Sequence, residues 1–232
     1  MKYTILLLDA DDTLLDFQRT EEYALSYTFE KYGIAFTDEV RATYKTINHK
    51  LWAAFEAGEI TKDTILARRF RNTFACLGIK GEMAGFEEEY QLALGRGGFL
   101  IPEAMEVCQE LSKTCRLYIV TNGVQATQAS RMELSGLLPY IQDVFVSETT
   151  GYQKPQKEYF DYVFSRIPDF DPAGTLMIGD SLNSDMKGGQ NAGVDVCWYN
   201  PAGKVNGVKV KPDYEIKNLK ELYAIVKGSE DF

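Results

Sequence analysis

Short apolar runs alternate with amphipathic stretches along most of the chain. Strands are predicted where such a run is bounded by polar residues or glycine, at residues 3–8, 117–120, 144–146, 176–178 and 194–198. Helices are predicted between them at residues 158–166 and 184–192, and a third opens at Pro102 and Glu103 in the manner of a first-turn proline. Strands that alternate with helices predict an α/β fold in which a parallel sheet is covered on both faces.

The stretch from about residue 17 to residue 96 has a different pattern, with helical periodicity and no convincing strand. Its apolar residues recur at spacings of three and four in two series, which are Val40, Tyr44, Ile47, Leu51 and Phe55, and then Leu66, Phe70, Phe74 and Leu77. This pattern predicts a helical insertion between the first strand and the rest of the sheet. We place the core at residues 1–15 and 97–232 and the insertion at residues 16–96, with Gly95 to Gly98 as the return hinge.

The composition is typical of a globular protein with a sizeable core, since 45% of the 232 residues are hydrophobic and 25% are charged. A formal net charge of −9 argues against a nucleic-acid polymer as partner, because binding to a phosphate backbone depends on clustered Lys and Arg. The N-terminal apolar run is too short for a signal-peptide core, and no window approaches a membrane span. The four cysteines show no paired spacing, so reduced thiols and a cytoplasmic location are expected.

Two carboxylates two residues apart, Asp9 and Asp11, directly follow the first predicted strand. Like charges this close repel each other in a low-dielectric setting, so the pair implies a bound cation, a shifted pKa or both. The pair also suits phosphoryl transfer, in which one carboxylate attacks phosphorus and its neighbour passes a proton to the leaving oxygen. A surface turn is the alternative, because Asp is common in loops after strands.

Polar side chains also follow other predicted strands, and ligands of a parallel sheet bind beyond the carboxyl ends of its strands. Thr121 and Asn122 follow the second strand, where a hydroxyl and the N–H groups of a helix start could bind a phosphoryl oxygen. Helix capping is the alternative for both residues. Asp180 follows the fourth strand and could complete a hard oxygen site with Asp9, and Asp185 in the next turn is a candidate outer partner.

So many acids require a fixed positive charge besides a metal if the site is to accept a phosphate. Lys154 follows the third strand, is restricted by Pro155, and would neutralise the nucleophile and the transferring group. Lys157 competes for this role. Other phosphate chemistries lack their residues, because the sequence has no C-x5-R, no G-x-x-x-x-G-K-[ST] and no G-x-G-x-x-G, and its one histidine, His49, lies in the helical insertion.

Taken in order, these segments resemble the four motifs of the haloacid dehalogenase superfamily. The motifs are Asp9-x-Asp11-x-Thr13-Leu14, Thr121-Asn122-Gly123, Lys154-Pro155, and Gly179-Asp180-Ser181 with Asp185. The resemblance implies a Rossmann-like core with a helical cap inserted after the first strand, which agrees with the break in pattern at residue 17. Asp12 departs from the Gly that the family often has at this place, and this change could alter the hinge toward the cap.

The resemblance also implies a role for each matched residue. Asp9 is the expected nucleophile that becomes an aspartyl phosphate, and Asp11 is the expected general acid and base. Asp11 favours phosphate ester hydrolysis over carbon–halogen cleavage, which has no alkoxide to protonate. Mg²⁺ is the expected cofactor, held by the carboxylates of Asp9 and Asp180 and by the backbone carbonyl of Asp11. The remaining roles are phosphoryl binding for Thr121 and Asn122, charge neutralisation for Lys154, and support of Lys154 or of a metal-bound water for Asp185.

Three further segments are similar to the bacterial pyrimidine 5′-nucleotidases, namely residues 9–17, 47–52 and 151–155. On that resemblance the partner is a small phosphorylated metabolite, a nucleoside monophosphate such as dUMP, UMP or dTMP. N-acylneuraminate phosphatases have a similar layout, so a sugar phosphate is an alternative substrate. A non-catalytic phosphometabolite sensor is a further alternative.

Phe17, at the start of the insertion, is the candidate substrate-binding residue, because its ring could stack on a base. Trp52, His49 and Arg68 are further candidates in the cap. Packing within the cap, or a surface charge in the case of Arg68, is the alternative for each of them.

Overall fold

The computed structural model describes residues 1–81 and 83–228. In this part of the chain six strands form one parallel sheet, in the order β3-β2-β1-β4-β5-β6. The strands are β1 (Ile5–Leu8), β2 (Arg116–Thr121), β3 (Asp143–Val146), β4 (Thr175–Gly179), β5 (Asp195–Tyr199) and β6 (Tyr214–Ile216). This order is that of a doubly wound Rossmann-type sheet, so the expected α/β fold is confirmed.

Helices fill the connections between the strands. Four follow β1 in succession, and they are α1 (Phe17–Lys31), α2 (Asp38–Glu56), α3 (Lys62–Leu77) and α4 (Phe86–Gly95). The others are α5 (Ala104–Leu111), α6 (Gln125–Ser135), α7 (Ser147–Thr150), α8 (Lys157–Arg166), α9 (Lys187–Ala192) and α10 (Leu222–Lys227). Within the described ranges, none of these helices combines the length and the apolar character that crossing a bilayer requires.

Three details of the sequence prediction are wrong. Strand β6 was not predicted, because it has only three residues and its middle residue, Glu215, is exposed. Helix α5 begins at Ala104 and not at Pro102, because Glu103 has a left-handed backbone with φ 69°, which a continuing helix cannot contain. The helix expected at residues 184–192 is a π-helical turn (Leu182–Met186) followed by the shorter α9.

Contacts within the chain divide it into two compact units. The first, here called the core unit, combines Met1–Gln18 with Gly98–Phe232. The second, here called the helical unit, is Arg19–Gly97.

In the core unit, β1 is buried on both faces of the sheet. Its residues alternate between two clusters, because successive side chains of a strand point to opposite faces. Leu6 and Leu8 pack with α5 and α10, whereas Ile5 and Leu7 pack with α8. This two-sided burial explains why the strand reads as an uninterrupted apolar run.

In the helical unit, aromatic side chains form the packed centre. Phe70 and Phe74, both from the periodic series in the sequence, contact the ring of Phe86 with centroid distances of 4.7 and 5.0 Å. Tyr44 is fully buried against Phe70, and its hydroxyl is 3.0 Å from that of Tyr90. The expected helical character of this segment is therefore present, and its apolar positions serve mainly as packing.

The four cysteines differ sharply in exposure. Cys76, on α3, is exposed, whereas Cys108, Cys115 and Cys197 are buried and reduced. Burial raises the pKa of the Cys108 thiol to about 12, and it also raises the pKa of the Cys115 and Cys197 thiols.

Candidate active site

The register of the sheet brings the predicted site residues to one edge. Leu8 of β1 pairs with Ile119 of β2 on one side and with Ile178 of β4 on the other. Asp9, which follows Leu8, donates its backbone N–H to the Ile178 carbonyl oxygen at 2.9 Å. Strand β1 lies where the strand order reverses, and ligands bind at this position in doubly wound sheets.

Three carboxylates meet at this edge. One oxygen each from Asp9, Asp180 and Asp185 lies within 4.8 Å of the others. Asp9 and Asp185 are buried, and Asp180 is partly exposed. Asp9 lies more than 170 positions before Asp180 and Asp185 in the sequence, so its meeting with them is a consequence of the parallel pairing of β1 with β4.

Lys154 joins two of these acids. Its ammonium group donates to Asp9 Oδ1 and to Asp185 Oδ1, both at 2.6 Å, and to the Val120 carbonyl oxygen at 2.8 Å. Burial alone would lower the pKa of Lys154, but the carboxylates of Asp185 and Asp9 outweigh it, so this pKa is raised and the side chain stays charged. All three ammonium protons have acceptors within the protein, which makes Lys154 a fixed positive charge.

The competing Lys157 lies elsewhere. Its side chain is exposed and pairs with Asp161 at 2.5 Å, one turn along α8. Lys154 is therefore the lysine that reaches the carboxylates, and Lys157 is a surface residue.

Asp185 is held by the turn after β4. Its Oδ2 accepts the backbone N–H of Ser181 at 3.1 Å, while Oδ1 accepts from Lys154. A Cβ at Gly179 would lie 2.2 Å from Asp185 Oδ2, so glycine is needed at this position to let the carboxylate approach. Both oxygens of Asp185 are thus engaged, an arrangement suited to supporting Lys154.

The donor set fits a divalent cation. The cluster contains the carboxylates of Asp9, Asp11, Asp180 and Asp185 and the basic side chains of Lys154 and Arg131. With every group ionised its formal charge is −2. Burial, together with the charges of Asp185 and Asp12, raises the pKa of Asp180 to about 8. Burial also raises the pKa of Asp9 well above its ordinary range, although Lys154 acts to lower it. Within the described residues no hydrogen bond reaches the Asp180 carboxylate or Asp9 Oδ2. Such carboxylate oxygens are the ligands that Mg²⁺ prefers.

Thr121 and Asn122 lie at the end of β2, but their side chains have different surroundings. The Asn122 amide donates to the Lys154 carbonyl oxygen and accepts from the Lys154 backbone N–H, both at 3.0 Å. The Thr121 hydroxyl oxygen accepts from Gly123 N–H at 3.0 Å and from Gln128 Nε2 at 2.9 Å. Asn122 therefore links the Lys154 loop to the end of β2, whereas Thr121 accepts two hydrogen bonds through its hydroxyl oxygen.

Asp11 is held by two residues that the sequence analysis missed. Gln128 Nε2 donates to Asp11 Oδ2 at 2.8 Å, and Arg131 donates to Asp11 Oδ1. Gln128 and Arg131 are polar residues three apart on α6, a spacing that puts both on one helix face, and this spacing is the signal that could have indicated them.

Asp12 and Phe17 lie where the chain leaves the sheet. Asp12 has a left-handed backbone with φ 56°, and its carboxylate accepts the N–H groups of Phe17 at 3.1 Å and of Gln18 at 3.3 Å. The residue that departs from the expected Gly therefore caps the start of α1. The ring of Phe17 is partly buried, with the Arg131 guanidinium 5.6 Å from its centroid.

The other candidates lie in the helical unit. His49 and Arg68 are exposed on α2 and α3, and Trp52 packs edge-on against Phe55.

Comparisons with known proteins agree with the family resemblance that the sequence motifs indicate. A family model described as a haloacid dehalogenase-like hydrolase matches residues 3–193. The HAD-hydrolase YfnB of Bacillus subtilis is 49% identical over 97% of this chain and 96% of its own length. A crystal structure of YfnB bound to magnesium, which reveals interdomain movement in that protein, matches with a TM-score of 0.93 over 97% of this chain and 99% of the other.

Two pyrimidine 5′-nucleotidases are also similar along nearly the whole chain. PynA of Streptococcus pneumoniae is 35% identical over 96% of this chain and 94% of its own length. YjjG of Escherichia coli is 31% identical over 96% of this chain and 97% of its own length.

Proposed function

This chain belongs to the haloacid dehalogenase-like hydrolases, and from that premise we propose that it is a Mg²⁺-dependent phosphate monoester hydrolase acting through an aspartyl phosphate on Asp9. The observation that carries the proposal is the contact of Lys154 with both Asp9 and Asp185, with Asp180 beside them. A fixed cation beside the carboxylates, together with a divalent metal ion, would favour the ionised form of Asp9 that a nucleophile requires.

In the proposed reaction, the Asp9 carboxylate bonds to phosphorus as the bond to the leaving oxygen breaks. Asp11 transfers its carboxyl proton to that leaving oxygen, so the alcohol departs neutral. A water molecule then attacks the phosphorus of the aspartyl phosphate while Asp11 accepts the proton of this water. The bond between Asp9 and phosphorus breaks, which releases inorganic phosphate and restores the Asp9 carboxylate. Lys154 favours the ionised form of Asp9 at the start and end of the cycle.

Magnesium would be held by the carboxylates of Asp9 and Asp180 and by the backbone carbonyl of Asp11, with Asp185 behind them. When bound, the ion would supply positive charge that screens the phosphoryl oxygens from the surrounding acids. Thr121 would donate its hydroxyl proton to a phosphoryl oxygen, since its lone pairs already accept two hydrogen bonds.

A pyrimidine nucleoside 5′-monophosphate is the proposed substrate. The support is the similarity to PynA and YjjG, whose names state this activity and whose sequences align with nearly all of the chain, including the helical unit. Phe17 is the proposed stacking partner of the base.

Release of inorganic phosphate by the purified chain tests the proposal. With Mg²⁺, we expect faster phosphate release from UMP, dUMP and dTMP than from hexose phosphates and N-acylneuraminate phosphate. In excess EDTA we expect little phosphate release from any of them. Asp9→Asn is expected to lower turnover by at least about 10³-fold while the chain stays folded, because the nucleophile is lost. Asp161→Asn, a change at an exposed carboxylate on α8, is the matched control and keeps full activity.

Each result separates the alternatives. Equal rates of phosphate release from nucleotides and hexose phosphates would disprove the nucleotidase assignment, whereas the broader phosphatase assignment would stand. If no phosphate is released from any ester, including an aryl phosphate, the non-catalytic phosphometabolite sensor is the alternative that stands. Undiminished turnover in Asp9→Asn would disprove the nucleophile.

A further inference from the structure

Helix α6 carries two polar side chains that the proposed reaction has not yet used. Gln128 and Arg131 are each only 1% exposed. A buried guanidinium or amide is unfavourable unless hydrogen bonds satisfy it. Arg131 donates to Gln128 Oε1 at 2.9 Å, and both residues donate to Asp11.

The two residues hold the Asp11 carboxylate at two points. Oδ1 accepts from Arg131 and Oδ2 accepts from Gln128, which fixes both the position of the carboxylate and its rotation about χ2. A carboxylate has about four lone-pair sites, so two remain, and one of them can carry the proton that Asp11 transfers. The side chain of Asp11 is 29% exposed, which leaves it accessible from solution.

Gln128 also links Asp11 to the end of β2. The same Nε2 group donates to Thr121 Oγ1 at 2.9 Å. A Cβ at Gly123 would lie 2.6 Å from Gln128 Nε2, so the glycine after Asn122 makes room for this side chain. One amide group thus sets the distance between the proposed acid and the proposed phosphoryl-binding hydroxyl.

Arg131 extends the arrangement to the ring of Phe17. Its guanidinium lies 5.6 Å from the ring centroid, within the range of a cation–π contact. Arg131 therefore touches both the proposed acid and the proposed base-stacking residue.

We propose that Gln128 and Arg131 are positioning residues that aim the Asp11 carboxyl at the leaving oxygen of the phosphate ester. This inference rests on the proposed function, in which a proton passes from Asp11 to that oxygen as the phosphorus–oxygen bond breaks. Neither residue touches the reacting atoms, and both act through Asp11.

The dependence on the leaving group tests this role. An alkyl ester such as UMP needs a proton on its departing oxygen, whereas p-nitrophenolate departs without one. For Arg131→Met and Gln128→Met we expect kcat on UMP to fall about 10- to 100-fold more than kcat on p-nitrophenyl phosphate. Asp11→Asn should show the same bias more strongly, and Arg131→Lys should recover part of the loss on UMP.

Glu133→Gln, an exposed change on the same helix, is the control and should leave both rates unchanged. Equal losses on the two esters, or no loss in either Met variant, would overturn the positioning role while the phosphatase assignment stands. Should Arg131→Met fail to fold, Gln128→Met decides the question. If the unmodified chain hydrolyses neither ester, the proposed function fails, and this inference fails with it.

Discussion

Lys154 is the residue on which the local charge balance depends. It is fully buried, and its three protons go to Asp9, Asp185 and the Val120 carbonyl oxygen. A loop lysine is usually solvated, so the sequence alone could not separate Lys154 from Lys157. The structure does so through burial, because the ends of β1 and β2 and the turn after β4 supply the three acceptors around the Lys154 ammonium group.

Lys154→Met should destabilise the chain strongly. The change keeps the apolar stem and removes the charge, which leaves two buried carboxylates side by side at a cost of about 3–5 kcal/mol. For a chain of this length, the melting temperature in EDTA should drop by about 10 °C. Calorimetry of the metal-free protein measures this drop.

Lys157→Met is the matched control, because it breaks an exposed pair one turn apart that is worth about 0.3–0.5 kcal/mol. Its melting temperature should change by no more than about 2 °C. A similar drop in both variants would show that Lys154 does not hold the buried acids.

At the scale of elements, the start of α1 depends on one side chain with two tasks. Asp12 adopts a left-handed backbone and also caps the first N–H groups of the helix. Asp tolerates this backbone better than most residues, and its carboxylate suits a helix N-terminus. This explains how Asp can stand where the family pattern suggested Gly.

Substitutions at Asp12 should separate these tasks. Asp12→Ala loses the cap and also the short polar side chain that lets Asp tolerate a left-handed backbone, for a combined loss of about 2 kcal/mol. Asp12→Gly loses only the cap and gains backbone freedom, so its loss should stay below about 1 kcal/mol. Asp12→Asn should be the mildest. Thermal melts followed by circular dichroism give the order, and a Gly variant less stable than the Ala variant would contradict it.

Strands β1 to β5 were predictable because each contains a run of buried apolar residues next to polar ones. Strand β6 was not, since three residues with an exposed centre carry little periodic signal. The first turn of α5 was misplaced because Pro102 is compatible with a helix start, and the backbone of Glu103 alone excludes it.

At the scale of the whole molecule, metal binding and protonation should compete. The folded, metal-free chain keeps a proton on Asp180 up to about pH 8, whereas the unfolded chain releases it near 3.8. Between these values the folded state binds more protons, so this group makes stability fall as pH rises. A bound divalent cation would reverse that loss.

Mg²⁺ should therefore raise the melting temperature more at pH 8.5 than at pH 6.5. With Mg²⁺ at about 100 times its dissociation constant, stabilisation of about 2.7 kcal/mol is expected, or about 5–10 °C. Asp180→Asn should lose most of this shift and its pH dependence. A shift that is equal at both pH values, or unchanged in the Asn variant, would argue against Asp180 as a ligand.

The order of acids and lysine along the chain was enough to predict that they meet, because parallel strands end at one edge. Gln128 and Arg131 were missed, since polar residues on a helix ordinarily face solvent and only the packing of α6 buries them.

The uneven exposure of the cysteines has a practical consequence. A maleimide dye added to the native chain should attach at Cys76 alone, since the other thiols are buried and remain protonated at neutral pH. A single fluorophore on α3 would then report on the helical unit when a nucleotide is added.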